Sequence, residues 1–206
     1  MRRDPALLAT QRFDVLVVGG GIHGAWLALR ATEAGYHAAL VERDDFGAAT
    51  SANSLKILHG GLRYLQTLDI PRMRKSVAAR REFARLAPGL VEPLACLLPL
   101  SPVGLRSPWA FGPALLLNEV ISAGQRSGVA TGARLPFGHL VGSGRARVAV
   151  SALADRAPFG GGIWWDLVLR ESDRMTVEVV LAAARRGAVI ANRMEALQLR
   201  ITGSRA

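Results

Sequence analysis

The sequence has almost no lysine and a single cysteine. All of its 26 basic residues except Lys56 and Lys75 are arginine, and Cys96 is its one thiol. One cysteine excludes an intrachain disulfide and suits a reducing compartment. Because Cys96 lies in an apolar stretch, we interpret it as a buried, inert thiol and not as a nucleophile.

Long apolar runs are also missing, and the start of the chain does not have the pattern of a signal peptide. Two arginines open the chain, and no apolar core follows them before Arg12. The longest uncharged runs, Pro93–Leu105 and Ser107–Asn118, contain prolines and are too short to cross a bilayer. We therefore expect a cytoplasmic protein, and peripheral contact with the inner face of the cell membrane stays open.

Acidic residues are outnumbered, since 26 basic residues against 16 acidic ones give a net charge of +10. The densest basic stretch lies in a predicted helix and consists of Arg72, Arg74, Lys75, Arg80, Arg81 and Arg85. Its simplest interpretation is a solvated helix face, and an anionic lipid surface or a partner is the alternative. No aromatic residues are interleaved with it, so we expect no nucleic-acid partner.

The first part of the chain predicts a βαβ unit. Phe13–Val18 is an apolar run typical of a buried parallel strand, and a helix from Ile22 to about Ala34 follows, closed by Gly35. Ala38–Val41 is a second apolar strand. Beyond it, residues 43–61 form a long loop without sustained periodicity, of the kind that carries function.

The rest of the 206 residues predicts further elements and a second region. Helices are expected at Pro71–Ala87 and at Ser172–Arg186, the latter with Ser172 or Asp173 as N-cap, and strands at Ala188–Ala191 and Met194–Ile201. We expect an α/β fold in which residues 1–89 begin a Rossmann-like domain and residues 166–206 return to it. Residues 90–165, rich in proline and glycine, would be an inserted, incomplete α+β substrate region.

The first predicted strand runs directly into a glycine turn of the form G-x-G-x-x-G, residues 19–24. Gly19 permits the tight turn, Gly21 lets a pyrophosphate approach the backbone, and Gly24 lets the helix pack close to the sheet. The helix N-terminus favours the negative charge of the pyrophosphate. We expect His23, within the turn, to face the cofactor or solvent without a proton-transfer role.

Glu42 ends the second strand, eighteen residues after Gly24. A carboxylate there can accept hydrogen bonds from both ribose hydroxyls of an adenosine, and it would repel a 2′-phosphate. The unit therefore predicts a site for the ADP half of a dinucleotide. By itself it does not separate NAD from FAD.

The loop after Glu42 distinguishes FAD from NAD. Residues 50–65 read TSANSLKILHGGLRYL, and this segment closely resembles the signature of the FAD-dependent glycerol-3-phosphate dehydrogenases. These enzymes belong to the wider amino-acid-oxidase-like flavoprotein superfamily. The resemblance runs over essentially the whole chain, but it covers only the first part of a typical family member.

The glycine turn and the resemblance together imply a set of site residues. The cofactor-binding set for FAD is Gly19, Gly21, Ile22, His23, Gly24, Glu42, Arg43, Thr50, Ser51, Ser54, Lys56, Leu58, His59, Gly60 and Ala196. His59 and Arg63 are the catalytic candidates, and Arg63 would bind an anionic group of the substrate. Ala196 resembles the position whose backbone meets the adenine. No metal site is implied.

The activity that the resemblance implies is hydride transfer from a secondary alcohol carbon to flavin N5. The substrate would be an anionic small molecule, glycerol 3-phosphate or a related hydroxy acid, and a quinone or another acceptor would take the electrons. Two alternatives stay open: an amine or amino-acid oxidase of the same superfamily, and a non-catalytic, truncated FAD-binding fragment.

Two features depart from the family pattern. Leu94–Pro99 occupies a place where the glycerol-phosphate enzymes tend to carry an arginine. The later substrate-domain strands of the family are absent from the 206 residues, as are the strands that flank the first strand. We therefore expect a fragment in which residues 14–18 form an apolar edge strand with unpaired backbone groups.

Overall fold

The computed structural model describes residues 5–149 and 159–200. In chain order, the helices are α1 (Pro5–Thr10), α2 (Ile22–Glu33), α3 (Ile70–Leu86), α4 (Pro108–Ile121), α5 (Ser143–Ala149) and α6 (Ser172–Arg185). The strands are β1 (Val15–Val18), β2 (Ala38–Val41), β3 (Ile57–Leu58), β4 (Val91–Pro99), β5 (His139–Val141), β6 (Gly161–Leu169) and β7 (Val189–Ala191).

The chain divides into two compact units. The first combines Met1–Leu55 with Glu171–Ala206, and the second is Lys56–Arg170. The sequence instead placed the breaks near residues 89 and 165. The difference has a physical reason: β6 pairs with both β3 and β4, so residues from 56 onwards share one sheet with the end of the second unit.

The first unit contains a parallel sheet with the strand order β1-β2-β7. Val15 pairs with Ala38 and Val18 with Val41, while Val41 also pairs with Ala191 on the other side. All four residues of β2 are buried, as expected of a central parallel strand. The Rossmann-like βαβ prediction is confirmed.

Helices α2 and α6 pack against each other beside this sheet. Along the chain, α2 lies between β1 and β2, and α6 precedes β7. Leu29 on α2 and Val179 and Val180 on α6 are almost completely buried. Burying one such side chain stabilises a fold by about 1.5–3 kcal/mol. Gly35 and Gly187 follow the two helices with positive φ, and the sequence predicted this closing position for Gly35.

Two local predictions in the first unit are wrong. The N-cap of α6 is Glu171, because Ser172 is buried and its hydroxyl donates to the Ala52 carbonyl 3.5 Å away. The predicted strand at Met194–Ile201 is not formed over residues 194–200, and Ile201 lies outside the described residues. Met194 donates to the Glu42 carbonyl oxygen, and residues 195–200 are exposed beyond that bond.

Within the described residues, β1 lies at one edge of its sheet, as the sequence predicted. Val17 is buried, but Leu16 is 49% exposed and Val18 is 56% exposed. An edge strand with two apolar side chains in solvent is unusual for a parallel sheet, whose strands are normally covered on both faces.

The second unit is built on antiparallel pairing, with the order β3-β6-β4 and β5 also paired to β6. β4 and β6 pair along nine residues, from Val91 opposite Leu169 to Pro99 opposite Gly161. Helix α4 covers one face through a cluster formed by Leu62, Leu98, Leu100, Phe111, Leu115 and Trp164. The prediction of an α+β region after the βαβ unit is confirmed.

None of the helices within residues 5–149 and 159–200 is long and apolar enough to span a bilayer.

Candidate cofactor site

The glycine turn between β1 and α2 has the geometry that a close approach to the backbone needs. Gly19 has φ of +109°, and its N–H donates to the Val41 carbonyl 2.8 Å away. A Cβ at position 24 would collide with the Gly19 carbonyl oxygen and lie 3.3 Å from Val17 Cγ1. Helix α2 therefore begins directly against β1, and only glycine fits at Gly24.

The Glu42 carboxylate is fixed at the end of β2 by two backbone donors. Gly20 donates to Glu42 Oε2 at 2.5 Å, and Asp44 donates to Oε1 at 2.8 Å. The main chain of Glu42 also bonds Ala191 and Met194. Each carboxylate oxygen keeps a further acceptor position, so the group is held ready to accept ribose hydroxyls.

Gly20 is a residue that the sequence reasoning missed. A Cβ there would lie 2.7 Å from Phe46 Cδ1 and 2.8 Å from Glu42 Cβ. Its N–H orients Glu42, as described above. No sequence signal could single it out, because it occupies a free position of the G-x-G-x-x-G pattern.

Ser51 brings the long loop back to the N-terminus of α2. The Ile22 N–H donates to Ser51 Oγ at 2.9 Å. The N-cap residue of α2, Gly21, has no side chain that could accept this hydrogen bond. The same loop is tied down where Gly47 N–H donates to the Gly20 carbonyl at 3.0 Å. A hydroxyl and a helix N-terminus therefore meet at the place where an anion is favoured.

These parts enclose a cleft of about 380 Å³ at the carboxyl end of the parallel strands. Nine of the predicted cofactor residues line it: Gly19, Gly21, Ile22, His23, Gly24, Glu42, Arg43, Thr50 and Ser51. The remaining lining residues are Asp44, Asp45, Gly47, Ala48 and Ala49. Glycine backbone, a hydroxyl and a fixed carboxylate fit the pyrophosphate and ribose of an ADP moiety.

A larger cavity of about 510 Å³ lies elsewhere in the first unit, near Leu7, His37 and Arg185. It contains none of the predicted site residues. It also lies at the amino ends of the strands, since His37 precedes β2 and Ala188 precedes β7. Ligands of open α/β sheets bind at the carboxyl ends, so the smaller cleft is the candidate site.

The charges beside the cleft are partly paired. Hydrogen bonds from Arg193 and Asn192 lower the pKa of the Asp45 carboxyl group, so Asp45 stays ionised at neutral pH. Arg43 is exposed and donates to Asp44 at 3.2 Å. Further carboxylates therefore lie beside Glu42 in the cleft. Their negative charge disfavours a 2′-phosphate on the ribose of a bound adenosine.

Five of the predicted residues belong to the second unit instead. Lys56 has a left-handed backbone, and its carbonyl accepts from Leu169 N–H at 2.7 Å. Leu58 lies in β3, and His59 is exposed and makes a T-shaped ring contact with Tyr64, the ring centroids being 6.2 Å apart. Gly60 is buried, and its N–H donates to Asp166 Oδ1 at 2.7 Å. Arg63 is exposed in a short 3₁₀ helix, Leu62–Thr67.

Two predicted residues lie outside the lining of the cleft. Ser54 is exposed in the loop that closes the first unit, and Ala196 is exposed in the irregular segment after β7. The predicted role of Ala196 assumed a strand, which the described residues do not form there. Their roles toward the cofactor stay predictions.

Arg80 corrects the interpretation of the basic stretch as a solvated helix face. Its neighbours Arg72, Arg74 and Lys75 are exposed, but Arg80 is only 5% exposed and pairs with Asp166. The sequence carried a signal for the burial of Arg80. Arg80 follows the spacing of one helix face together with three apolar residues, Met73, Val77 and Ala84. Asp166 was not singled out as a site residue either.

Comparison with known proteins gives a consistent result. A family model described as FAD dependent oxidoreductase matches residues 14–206. The chain is 29% identical over 192 residues to a glycerol-3-phosphate dehydrogenase of Synechocystis, covering 93% of this chain and 33% of that protein. It is 36% identical over 197 residues to the mitochondrial glycerol-3-phosphate dehydrogenase of Bos taurus, covering 92% and 26% respectively.

A solved structure is similar as well. The glycerol-3-phosphate dehydrogenase of Bacillus halodurans, complexed with FAD, superposes with a TM-score of 0.59 at 25% identity. The match covers 95% of this chain and 29% of that one. The chain thus spans about a quarter to a third of the length of the curated relatives it matches.

Proposed function

The chain belongs to the family of FAD-dependent oxidoreductases, and from this premise we propose that it binds FAD for the oxidation of glycerol 3-phosphate or a related hydroxy acid. The observation that carries the proposal is the cleft at the carboxyl end of the first sheet, where Glu42, Ser51 and the glycine turn converge. When bound, FAD supplies the hydride acceptor for oxidation of a secondary alcohol.

The first unit would hold the ADP half of FAD. The N-terminus of α2 and the Ser51 hydroxyl would meet the pyrophosphate, whose negative charge the helix dipole favours. Glu42 would accept the ribose hydroxyls with an orientation already fixed by Gly20 and Asp44. A site that is held in place before binding loses less conformational entropy when the ligand arrives.

The second unit would supply the substrate contacts. Arg63 is exposed, and among the described residues its guanidinium makes no ion pair or side-chain hydrogen bond. It is therefore available to bind an anionic group, phosphate or carboxylate, in the bidentate manner that guanidinium favours. His59 lies four residues before it on the same turn and would contact the substrate from a second direction.

Glycerol 3-phosphate is preferred over an amine or amino acid because the relatives compared above are named as glycerol-3-phosphate dehydrogenases. The β4 segment Leu94–Pro99 brings no cation, so Arg63 would be the main anion contact of the second unit. A quinone as electron acceptor and contact with a membrane surface belong to the same proposal.

FAD binding is the first test. Equilibrium dialysis of the purified chain against FAD should give saturable binding that ADP displaces. Glu42→Gln should weaken the affinity by about tenfold, because a charged acceptor is lost and the new amide faces backbone donors. Glu33→Gln, at the C-terminal end of α2 and outside the cleft lining, is the matched control and should bind as the native chain does. Absence of ADP-sensitive FAD binding would remove the proposal.

Substrate choice is the second test. Reduction of bound FAD should be followed by its absorbance with glycerol 3-phosphate, simple hydroxy acids, amines and amino acids in turn. Bleaching by glycerol 3-phosphate or by a hydroxy acid supports the proposal, and bleaching by an amine or amino acid would replace it with the oxidase alternative. FAD binding without bleaching by any of them would leave the non-catalytic binding alternative.

A further inference from the structure

The second unit contains a buried ion pair that the proposed function does not use. We propose that Arg80 and Asp166 are positioning residues, which hold the turn at residues 59–63 so that His59 and Arg63 project in fixed directions. This inference rests on the proposed function, because it assigns a purpose to the turn that carries those two side chains.

Arg80 lies on α3 and makes hydrogen bonds at three acceptors. Its Nη1 donates to Asp166 Oδ1 at 2.6 Å and to the Trp165 carbonyl at 3.2 Å, and its Nη2 donates to Gln125 Oε1 at 2.5 Å. Burial lowers the pKa of Arg80, and the Asp166 carboxylate opposes this shift, so the guanidinium stays charged. Arg80 therefore links α3, β6 and the segment after α4.

Asp166 lies on β6 and collects donors from three different parts of the unit. Its Oδ1 accepts from Arg80 and also from the Gly60 N–H at 2.7 Å. Its Oδ2 accepts from Trp164 Nε1 at 3.2 Å. Asp166 is only 7% exposed, so its carboxylate is held by the protein and not by solvent.

Gly60 rests directly on the Arg80 guanidinium. A Cβ at position 60 would lie 2.6 Å from Arg80 Cζ and from Nη2, far inside contact distance. Arginine at position 80 therefore requires glycine at position 60. The pair fixes Gly60 from two sides, through its N–H, which donates to Asp166, and through its Cα, which packs against the Arg80 guanidinium.

The turn is tied to β6 at successive points along the strand. The Lys56 carbonyl bonds Leu169, β3 pairs with Leu167 and Val168, and Gly60 then bonds Asp166. Immediately afterwards the chain reverses, because Gly61 has φ of +81° and caps the 3₁₀ helix. The pinned residue thus lies between His59 and Arg63, so its position determines where both side chains start.

A buried charged pair is a poor means of stabilising a fold, since desolvation offsets most of the attraction between the charges. What it provides is geometry: a carboxylate accepts from a backbone N–H only along defined directions. Holding reacting groups in one orientation is where enzymes gain much of their rate, which gives this pair a use beyond packing.

The test uses conservative variants of the whole chain. Asp166→Asn keeps the shape but loses the charge, and Arg80→Lys keeps the charge but loses the planar fork. Arg85→Lys, on the exposed side of the same helix, is the matched control. Backbone amide signals of His59, Gly60 and Arg63 should shift in both test variants and stay in place in the control, while thermal unfolding verifies that each variant folds.

Kinetics separate positioning from plain stability. With the native chain active, Asp166→Asn and Arg80→Lys should raise the KM for glycerol 3-phosphate by about tenfold, while the affinity for ADP, which would occupy only the cleft of the first unit, changes less than about twofold. A double-mutant cycle adds a check: Gly60→Ala should be harmful alone and add little in the Arg80→Ala background.

The two hypotheses fail in different ways. If the native chain binds no FAD or substrate, the proposed function fails, and the amide shifts and the double-mutant cycle still report on the turn. If the signals of His59, Gly60 and Arg63 are the same in both test variants as in the control, the positioning role is overturned. Additive effects of Gly60→Ala and Arg80→Ala would also contradict it.

Discussion

The two units hold their candidate site residues by different means. In the first unit, the cleft is built from backbone: glycines allow close approach, and N–H groups orient Glu42 and meet Ser51. In the second unit, the turn that carries His59 and Arg63 is fixed by buried charge, through Asp166 and Arg80.

The difference is one of distance along the chain. Gly20 and Glu42 are 22 residues apart and joined by a single βαβ unit, so the local fold brings them together. Gly60 and Asp166 are separated by 106 residues and meet only after a four-stranded sheet has formed. The first arrangement follows from a short motif, whereas the second needs the whole unit to be folded.

The largest expected effect is on the buried pair. Arg80→Ala would leave the Asp166 carboxylate without its cation, and such a loss costs about 3–5 kcal/mol of unfolding free energy. Lys75→Ala, at an exposed position of the same helix, should cost no more than about 0.5 kcal/mol. Urea unfolding followed by tryptophan fluorescence measures both. Equal losses of unfolding free energy in the two variants would show that the buried charge of Arg80 contributes no more to stability than an exposed charge does.

The next largest loss of stability is expected in the first unit. Gly24→Ala places a methyl group against the Gly19 carbonyl, which forces α2 away from β1 and should cost about 1–3 kcal/mol. FAD affinity should fall with it, because the helix N-terminus moves. Gly132→Ala is the comparison variant, since no atom lies within 4 Å of its added Cβ. A Gly24→Ala chain with native stability and affinity would disprove the tight contact.

Ser51→Ala should have a smaller and more selective effect. The free chain loses the acceptor for the Ile22 N–H, which should cost about 1 kcal/mol, as the loss of a helix cap does. Asn53→Ala, at an exposed position of the same loop outside the cleft lining, should leave FAD affinity near native. Thermal unfolding with and without FAD measures the pair. Indistinguishable variants would mean that Ser51 is no more than a loop residue.

The smallest effect concerns the thiol of the second unit. Burial is the main cause that raises the pKa of Cys96, and the nearby Asp166 carboxylate adds to it, so less thiolate is present at a given pH. Alkylation by iodoacetamide at pH 8 should therefore run roughly tenfold slower in the folded chain than in urea. Cys96 would then report on opening of the second unit. Cys96 is only partly buried in the structure, and equal rates in both states would contradict the raised pKa of its thiol.

The first unit was predictable because its chemistry is local. The apolar runs at residues 13–18 and 38–41, the glycine spacing and Glu42 all carry information within a few turns of chain. The structure brings nine of the predicted cofactor residues to one cleft. The strand at Met194–Ile201 failed because alternation favours a strand without ensuring a neighbour to pair with.

The second unit was less predictable. Residues 90–165 gave mixed short signals, and the nine-residue pairing of β4 with β6 joins segments about seventy residues apart in the chain. The domain boundaries depend on that pairing. Arg80 was assigned to a solvated face because arginine is normally exposed, although its spacing from Met73, Val77 and Ala84 places it on the apolar side of α3; only the fold shows that Asp166 meets it there.

By itself, the sequence determined the βαβ unit, the place of the glycine turn and the acidic partner at Glu42. It could do so because backbone conformation and strand periodicity are local properties. The tertiary structure alone decided that Asp166 and Arg80 hold Gly60, and that Ser51 meets the N-terminus of α2. Those contacts join distant segments, and no local preference specifies which distant donor a buried acceptor will find.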